Sequence, residues 1–268
     1  MKFLVVMLGV AMMLPMAAWA QLAPPNASGV SMGEMHFLVK DVAAYKKFFA
    51  VLGATPAAEK DAMKVPGAIF LFKKGEPTGG TVGSMINHFG LQVPDTDAMV
   101  AKLKAAGYKT EIGANPGQYF IYGPDELMKI ELLPNKALTM PIVFHHIHFF
   151  VADPGPNDGD AVKEMQAWYA KVFGAIPGRR AIFDAADLPG VNLTFSKSDT
   201  KTVGTAGRVV DNIGFEVADL EGFCNKETAA GIKFDTPCTK KHGDKKYMVA
   251  LTDPFGVKIV LTDNLDKM

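Results

Sequence analysis

Side chains that can bind a metal ion or move a proton recur at one fixed spacing in this sequence. Each head residue stands seven positions before an aspartate: Glu34 before Asp41, His88 before Asp95, His146 before Asp153 and Asn212 before Asp219. Imidazole and carboxylate groups suit zinc, nickel, manganese or ferrous iron. The pattern therefore predicts a divalent metal ion (Zn, Ni, Mn or Fe(II)) as cofactor and does not indicate which one.

A further candidate ligand is Glu131, which lies in the otherwise apolar segment KIELL. A carboxylate buried in such a strand is costly unless it is paired or bound to a metal. His88, Glu131, Glu34 and His146 are therefore candidate metal ligands, and Glu34 and Glu131 are also candidate catalytic carboxylates that could move a proton. The alternative for each residue is a hydrogen-bonded core position or a solvent-facing one.

The elements that must position these side chains form a fourfold internal repeat. In its clearest copy, Ile86–Asp95, alternating residues predict a strand that ends at a Pro-Asp pair. In every copy the aspartate precedes a predicted helix, and the segment closes on a glycine: Gly53, Gly107, Gly174 or Gly231. The step from aspartate to glycine is 12 residues in three copies and 21 in the third, where PGPNDGD is inserted.

Four such copies predict an α+β fold built from tandem βαβββ modules. One module exposes an apolar sheet face and cannot stand alone, so pairs of modules should form two cupped, half-barrel mixed sheets with helices outside. Strand alternation puts His36 on the face of Glu34 and His148 on the face of His146. The same alternation predicts that His145 faces the opposite side.

The chain of 268 residues divides into segments of different composition. A basic start, an apolar run and the Ala18-Trp19-Ala20 signal predict a secretory signal peptide, and hence a periplasmic or secreted protein. The glycine-rich stretch 75–83 predicts a flexible connector. The predicted parts are a signal peptide at 1–20, a lead at 21–32, a first domain at 33–134 (modules 33–75 and 84–134), a linker at 135–143 and a second domain at 144–263 (modules 144–198 and 208–263).

Charge and composition limit the partners of the protein. Its formal net charge is zero, which argues against a nucleic-acid surface. No integral membrane segment is expected after signal cleavage. We also expect a small-molecule substrate, and a monomer or homodimer. Cys224 and Cys238 could form a disulfide in an oxidising compartment or stay unpaired, and the sequence leaves both open.

The paired βαβββ repeat, the His-x6-Asp openings and the GPD…IEL or DPFG…I endings resemble the vicinal oxygen chelate superfamily. That superfamily includes glyoxalase I, extradiol dioxygenases and bleomycin-resistance proteins, and the resemblance spans residues 33 to 263. It implies metal ligands on the first strand of each module and on the last strand of certain modules. The matching positions are Glu34, His88 and Glu131 in the first half, and His146, Asn212 and Val260 in the second.

The resemblance implies, as its leading interpretation, an exported, glyoxalase-like lyase or isomerase that uses a divalent metal on a small oxygenated substrate. The alternatives are an extradiol-type dioxygenase and a non-catalytic small-molecule binding protein. Ferrous dioxygenases need two histidines and one glutamate, whereas a sequestering protein needs no metal ligands. The carboxylate-rich set of the first half favours the glyoxalase-like interpretation.

Pairing of the modules decides the third ligand. If neighbouring modules pair, Glu34 joins His88 and Glu131. If pairing is crossed, as in two-domain glyoxalases, His146 takes that place and the set becomes two histidines and one glutamate. We expect neighbour pairing because it keeps the connections local, and because it collects Asn212 and Val260 in a single sheet.

Overall fold

A computed structural model describes residues 22–239 and 247–265. The predicted signal peptide at 1–20 and His242, which the sequence predicts in a solvated loop, lie outside the described residues. Within the described ranges, no helix is both long enough and apolar enough to cross a membrane.

The helices begin and end where local capping residues predict. They are α1 (Val42–Leu52), α2 (Thr96–Ala105), α3 (Ala161–Phe173) and α4 (Leu220–Ala229). Asp41, Asp95 and Asp219 each accept a hydrogen bond from a backbone N–H of the first turn. In the third module Asp160 takes this role because of the insertion, and the carboxylate of Asp153 accepts from the Ala161 N–H at 2.9 Å.

The strands follow the predicted order of each module. They are β1 (Val30–Val39), β2 (Thr55–Pro56), β3 (Ala62–Val65), β4 (Ala68–Lys74), β5 (Ile86–Val93), β6 (Thr110–Ile112), β7 (Tyr119–Tyr122), β8 (Lys129–Pro134), β9 (Val143–Val151), β10 (Ile176–Arg180), β11 (Phe183–Leu188), β12 (Val191–Lys197), β13 (Val210–Val217), β14 (Met248–Thr252) and β15 (Lys258–Thr262). They form two mixed sheets that are not closed into barrels, which confirms the predicted α+β class.

The first sheet has seven strands in the order β14-β15-β13-β1-β4-β3-β2, and we call it the β1–β13 sheet. The second has eight strands in the order β10-β11-β12-β9-β5-β8-β7-β6, and we call it the β5–β9 sheet. The expected neighbour pairing is therefore wrong. Modules two and three share the β5–β9 sheet, whereas modules one and four share the β1–β13 sheet.

Contacts between the glycine-rich stretch 75–83 and the corresponding stretch of the other half, TKTVGTAG at 200–207, accompany this crossed arrangement. The Thr78 N–H donates to the Gly207 carbonyl at 2.8 Å, and Ser84 forms a parallel bridge with Val203. The guanidinium of Arg208 donates to the Gly80 carbonyl at 2.7 Å. The stretch 75–83, expected to be a flexible connector, is thus hydrogen-bonded to the corresponding connector of the other half.

The two sheets share one hydrophobic core. Phe37 of β1 packs on Phe89 of β5 with ring centres 5.8 Å apart, and Phe70 of β4 packs on Phe144 of β9 at 6.0 Å. Because side chains alternate along a strand, this core leaves His88 and Gly90 of β5 on the other face of their sheet. The core therefore fixes which residues of β5 face away from it.

Cys224 of α4 and Cys238 form a disulfide, with their Cα atoms 5.9 Å apart. The bridge decides between the two alternatives that the sequence left open. It ties α4 to the segment that leads towards β14.

Candidate metal centre

Adjacent strands of the β5–β9 sheet bring the candidate ligands together. In the ladder between β5 and β9, His88 lies opposite His148, and Gly90 lies opposite His146. In the ladder between β5 and β8, Gly90 pairs with Glu131. Glycine at this central position leaves space between the two side chains that flank it, which therefore meet across β5.

The polar atoms of this cluster lie close together. Glu131 Oε2 is 2.8 Å from His146 Nε2 and 3.3 Å from His88 Nε2. His148 Nδ1 is 3.3 Å from His88 Nε2. The three histidines offer nitrogen atoms that all lie within 4.8 Å of one another, and all four side chains are buried.

These separations fit a shared metal ion. Ligand atoms at roughly 2.1 Å from one ion lie about 3.0–3.4 Å from each other in tetrahedral or octahedral geometry. Each imidazole is also held by a second polar group, as metal-binding histidines generally are. The partners are Asn87 Oδ1 at 2.9 Å for His88, Ser196 Oγ at 2.8 Å for His148 and His145 Nδ1 at 2.9 Å for His146.

The protonation states suit ligation as well. Burial lowers the pKa of His146 to about 3 and that of His148 to about 2, and it also lowers the pKa of His88. Burial acts to raise the pKa of Glu131, but hydrogen bonds with His146 and His88 outweigh it, so that this pKa is lowered. Neutral imidazoles and an ionised carboxylate are the forms that bind metal ions.

A cation already touches the cluster. One guanidinium nitrogen of Arg180, the last residue of β10, lies 3.2 Å from Glu131 Oε2 and 3.2 Å from His146 Nε2. The amide of Gln118 donates to the other carboxylate oxygen of Glu131. Arg180 was not predicted from the sequence, because it lies in the mostly exposed strand IPGRR and follows no periodic pattern.

A cavity of about 400 Å³ opens over His88, His148 and Glu131. Besides this cluster, it is lined by the cations Arg180 and Lys129. Aromatic and amide side chains provide most of the remaining wall: Phe120, Phe150, Phe183, Asn87, Asn115 and Gln118. Apolar walls and several converging polar groups together are typical of a small-molecule site.

Glu34, a predicted ligand and catalytic carboxylate, does not join this cluster. It lies in the β1–β13 sheet, opposite Gly214, with Oε1 3.3 Å from His36 Nε2 and 2.7 Å from the Thr262 hydroxyl that donates to it. Asn212 faces His36 in the same ladder, and Val260 pairs with Gly214. The β1–β13 sheet thus repeats the register of the candidate centre with different side chains.

His145 does not simply point away, as alternation predicted. The register between β5 and β9 shifts between Gly90 and Leu91, and this irregularity places His145 at a bulge. Its Nδ1 atom consequently lies 2.9 Å from His146 Nδ1. His145 therefore supports the ring of a candidate ligand and does not face the opposite side.

Comparison with known proteins supports this fold. Residues 159–261 match the sequence model of the Glyoxalase/Bleomycin resistance protein/Dioxygenase superfamily. Glyoxalase I from Zea mays superimposes with a TM-score of 0.64 at 16% identity, over 89% of this chain and 94% of that one. Its V278E mutant gives a TM-score of 0.66 at 16% identity, over 89% and 94% of the two chains.

A Bacillus subtilis protein proposed to be a dioxygenase superimposes with a TM-score of 0.60 at 12% identity, over 91% of this chain and 86% of that one. No curated protein sequence matches the chain significantly. At these identities the likeness establishes the fold alone. Together with the family match, it confirms the resemblance predicted from the repeats.

Proposed function

We propose that this chain is a divalent-metal-dependent enzyme for a small oxygenated substrate. Its fold matches that of glyoxalase I over 89% of the chain, and residues 159–261 carry the sequence pattern of the glyoxalase, bleomycin resistance protein and dioxygenase superfamily. The observation that carries the proposal is the convergence of His88, His146 and Glu131 from three adjacent strands. A bound divalent ion polarises a carbonyl or binds two neighbouring oxygens of a substrate.

The residues of the cluster have distinct roles in this proposal. His88 Nε2, His146 Nε2 and Glu131 Oε2 would hold the ion, and His148 is a further donor beside them. Gln118 orients Glu131 by donating to Oε1, the carboxylate oxygen that does not face the histidines. Phe120 and Phe150 shield the cavity from water and confine the substrate next to the ligands.

Taken as the three ligands, with His148 beside them as a further donor, His88, His146 and Glu131 favour a dioxygenase of the extradiol type. Two histidines and one carboxylate form the set that ferrous oxygenases use. A lyase or isomerase also needs a base beside the ion to move a proton, and Glu34, expected in that role, lies in the other sheet. Among the described residues that line the cavity, Glu131 is the only carboxylate.

A lyase or isomerase is the second candidate, because one observation favours it. Crossed pairing of modules is the arrangement that the resemblance associates with two-domain glyoxalases. In that reaction a group beside the ion, Glu131 or His148, would have to accept the proton. Burial keeps the pKa of His148 near 2, so this imidazole is a weak base.

Metal analysis tests the site itself. Protein purified without chelator should contain close to one transition metal per chain. His146→Ala and Glu131→Ala should lose it, whereas Glu34→Ala, the corresponding change in the other sheet, should keep it. A metal-free wild-type protein that also fails to bind added ferrous, zinc, nickel or manganese ions would favour the non-catalytic binding alternative.

Reaction assays then separate the two classes. Protein loaded anaerobically with ferrous iron should consume oxygen when a catechol and air are added. One O2 molecule should be consumed for each ring opened. The same protein loaded with zinc or nickel should not isomerise a hemithioacetal. Isomerisation without oxygen consumption would overturn the oxygenase assignment and support the second candidate.

Export is also part of the proposal. The bridge between Cys224 and Cys238 supports it, because disulfides persist in oxidising compartments. Mass spectrometry of the periplasmic or secreted fraction should find a mature chain that begins at Gln21. A chain that keeps residues 1–20 and stays in the cytoplasm would contradict it.

A further inference from the structure

The cavity over the candidate metal centre is lined by two positively charged side chains that are not candidate metal ligands. Arg180 and Lys129 both line it, and Glu131 is the only carboxylate among its described lining residues. The site is therefore cationic by one charge before any metal binds, and a divalent ion would add two more. A neutral substrate would leave this charge uncompensated in a half-buried cavity.

The two cations reach the cavity from different sides. Arg180 ends β10 at an edge of the sheet, where it pairs with Phe183 across a two-residue turn. Lys129 comes from β8, and its Nζ atom lies 3.8 Å above the centre of the Phe120 ring. A charged group between them could interact with both.

The turn beyond Arg180 has a backbone conformation that is rare for its residue. Ala181 has a φ of 53°, in the left-handed region that non-glycine residues seldom adopt. A two-residue hairpin turn requires a positive φ at its first residue, and the turn between β10 and β11 accounts for this conformation. Here it accompanies a side chain directed into the cavity, whereas the neighbouring Arg179 is exposed and donates to the Ile182 carbonyl at 2.7 Å.

We propose that Arg180, assisted by Lys129, selects substrates that carry an anionic group. This inference rests on the proposed function and names its substrate class. The substrate is a small organic acid with two neighbouring oxygens on an apolar or aromatic body. The oxygens face the metal ligands, the body packs against Phe120, Phe150 and Phe183, and the acid group meets the guanidinium.

Arg180 is available for this role once the ligands are occupied. Its guanidinium now contacts Glu131 and His146, the side chains that would hold the ion. With those atoms occupied by a divalent cation, the guanidinium would be repelled and Glu131 would attract it less. The planar, always-charged group would then be able to form a bidentate pair with a carboxylate of the substrate.

The test uses two probes that differ only in a carboxylate, 3,4-dihydroxybenzoate and catechol. Binding of each to the full chain loaded with redox-inert zinc is measured by calorimetry, so that no turnover interferes. The wild-type protein should prefer the acid by about tenfold or more, which is a typical effect of one charge-assisted pair. Arg180→Gln should abolish most of this preference, and Arg180→Lys should retain part of it.

Matched controls distinguish this role from a structural one. Arg179→Gln removes the neighbouring charge and should leave the preference unchanged, while Lys129→Gln should reduce it less than Arg180→Gln does. The metal content of Arg180→Gln should equal that of the wild type. Equal binding of both probes to the wild type, an unchanged preference in Arg180→Gln, or no binding of either probe at millimolar concentration would overturn the proposal.

A metal-free arm separates this inference from the proposed function. Glu131→Gln removes the carboxylate that holds Arg180 in place, and without any metal it should bind 3,4-dihydroxybenzoate more tightly than catechol. If the chain binds no metal but this preference appears, the proposed function fails and the anion selectivity stands. If metal binds and the preference is absent in both arms, the selectivity fails alone.

Discussion

Gly90 lies directly opposite His146 in the ladder between β5 and β9, and a Cβ atom at Gly90 would come within 2.0 Å of His146 Cε1. Gly90→Ala therefore cannot be accommodated without moving the imidazole. Because His146 is a candidate ligand, we expect the variant to lose at least about tenfold in metal affinity, as when a supporting group of a ligand is lost. Metal titration monitored by calorimetry measures this loss.

The other sheet offers a matched control for that variant. Gly214 lies opposite Glu34, and a Cβ atom there would lie 2.3 Å from Glu34 Cγ. Gly214→Ala should destabilise the fold to a similar extent but leave the metal affinity unchanged. Equal loss of metal in both variants would show that Gly90 acts through general stability and not through His146.

The disulfide should contribute measurably to stability. Cys224 and Cys238 are separated by 14 residues, and closing a loop of that size is worth about 3 kcal/mol in the chain-entropy description. Reductant should therefore lower the urea midpoint of the wild-type protein. The variant Cys224→Ala with Cys238→Ser should start at the lower midpoint and show no response to reductant. A wild-type midpoint that ignores reductant would contradict the prediction.

The buried carboxyl of Asp253 should make stability depend on pH. Burial raises its pKa from 3.8 to about 7, although the N–H groups of Phe255 and Val257 and the hydroxyl of Tyr169 donate to it. A raised pKa in the folded state means that its stabilising effect is full below pH 3.8 and is lost as the pH rises through about 7. The free energy of unfolding should therefore fall across this window, by up to ~4 kcal/mol from this group.

Asp253→Asn should remove that part of the pH dependence. Urea unfolding at several pH values between 4 and 7.5 gives the difference between wild type and variant, which should shrink as the pH rises because the wild type loses stability. Asp199→Asn, at an exposed position, is the control and should follow the wild type. A difference that stays constant with pH would refute the assignment.

Local elements were predictable because their signals lie within a few residues. The ends of α1 and α3 could be placed from the sequence, since an aspartate precedes each helix and a glycine follows it. Pairing of the modules was not predictable in this way. The crossed pairing brings together segments that are far apart in the chain, such as Arg208 and Gly80, which are more than 120 residues apart. No local pattern encodes such contacts.

The candidate site was predictable only in part. His88, His146 and Glu131 could be found because each stands at a repeated position in a strand. Glu34 followed the same rule, and crossed pairing alone places it in the other sheet. Arg180 gave no signal, because it lies at the end of an edge strand where a charged residue ordinarily faces solvent.

The correspondence between the two sheets yields a final prediction. Asn212 and Val260 stand in the β1–β13 sheet where His88 and Glu131 stand in the β5–β9 sheet. Glu34 already lies beside them and could be a third ligand. Asn212→His combined with Val260→Glu should therefore create a second metal site and raise the metal content from about one to about two per chain.

The double variant needs a control that changes size without adding ligands. Asn212→Gln combined with Val260→Met alters the same positions, and its metal content should stay at that of the wild type. Adding Glu34→Ala to the first variant should remove the new site and keep the original one, because Glu34 is remote from the β5–β9 cluster. Elemental analysis of all three proteins decides the matter: an unchanged content in the first variant would mean that the common register is insufficient to build a site.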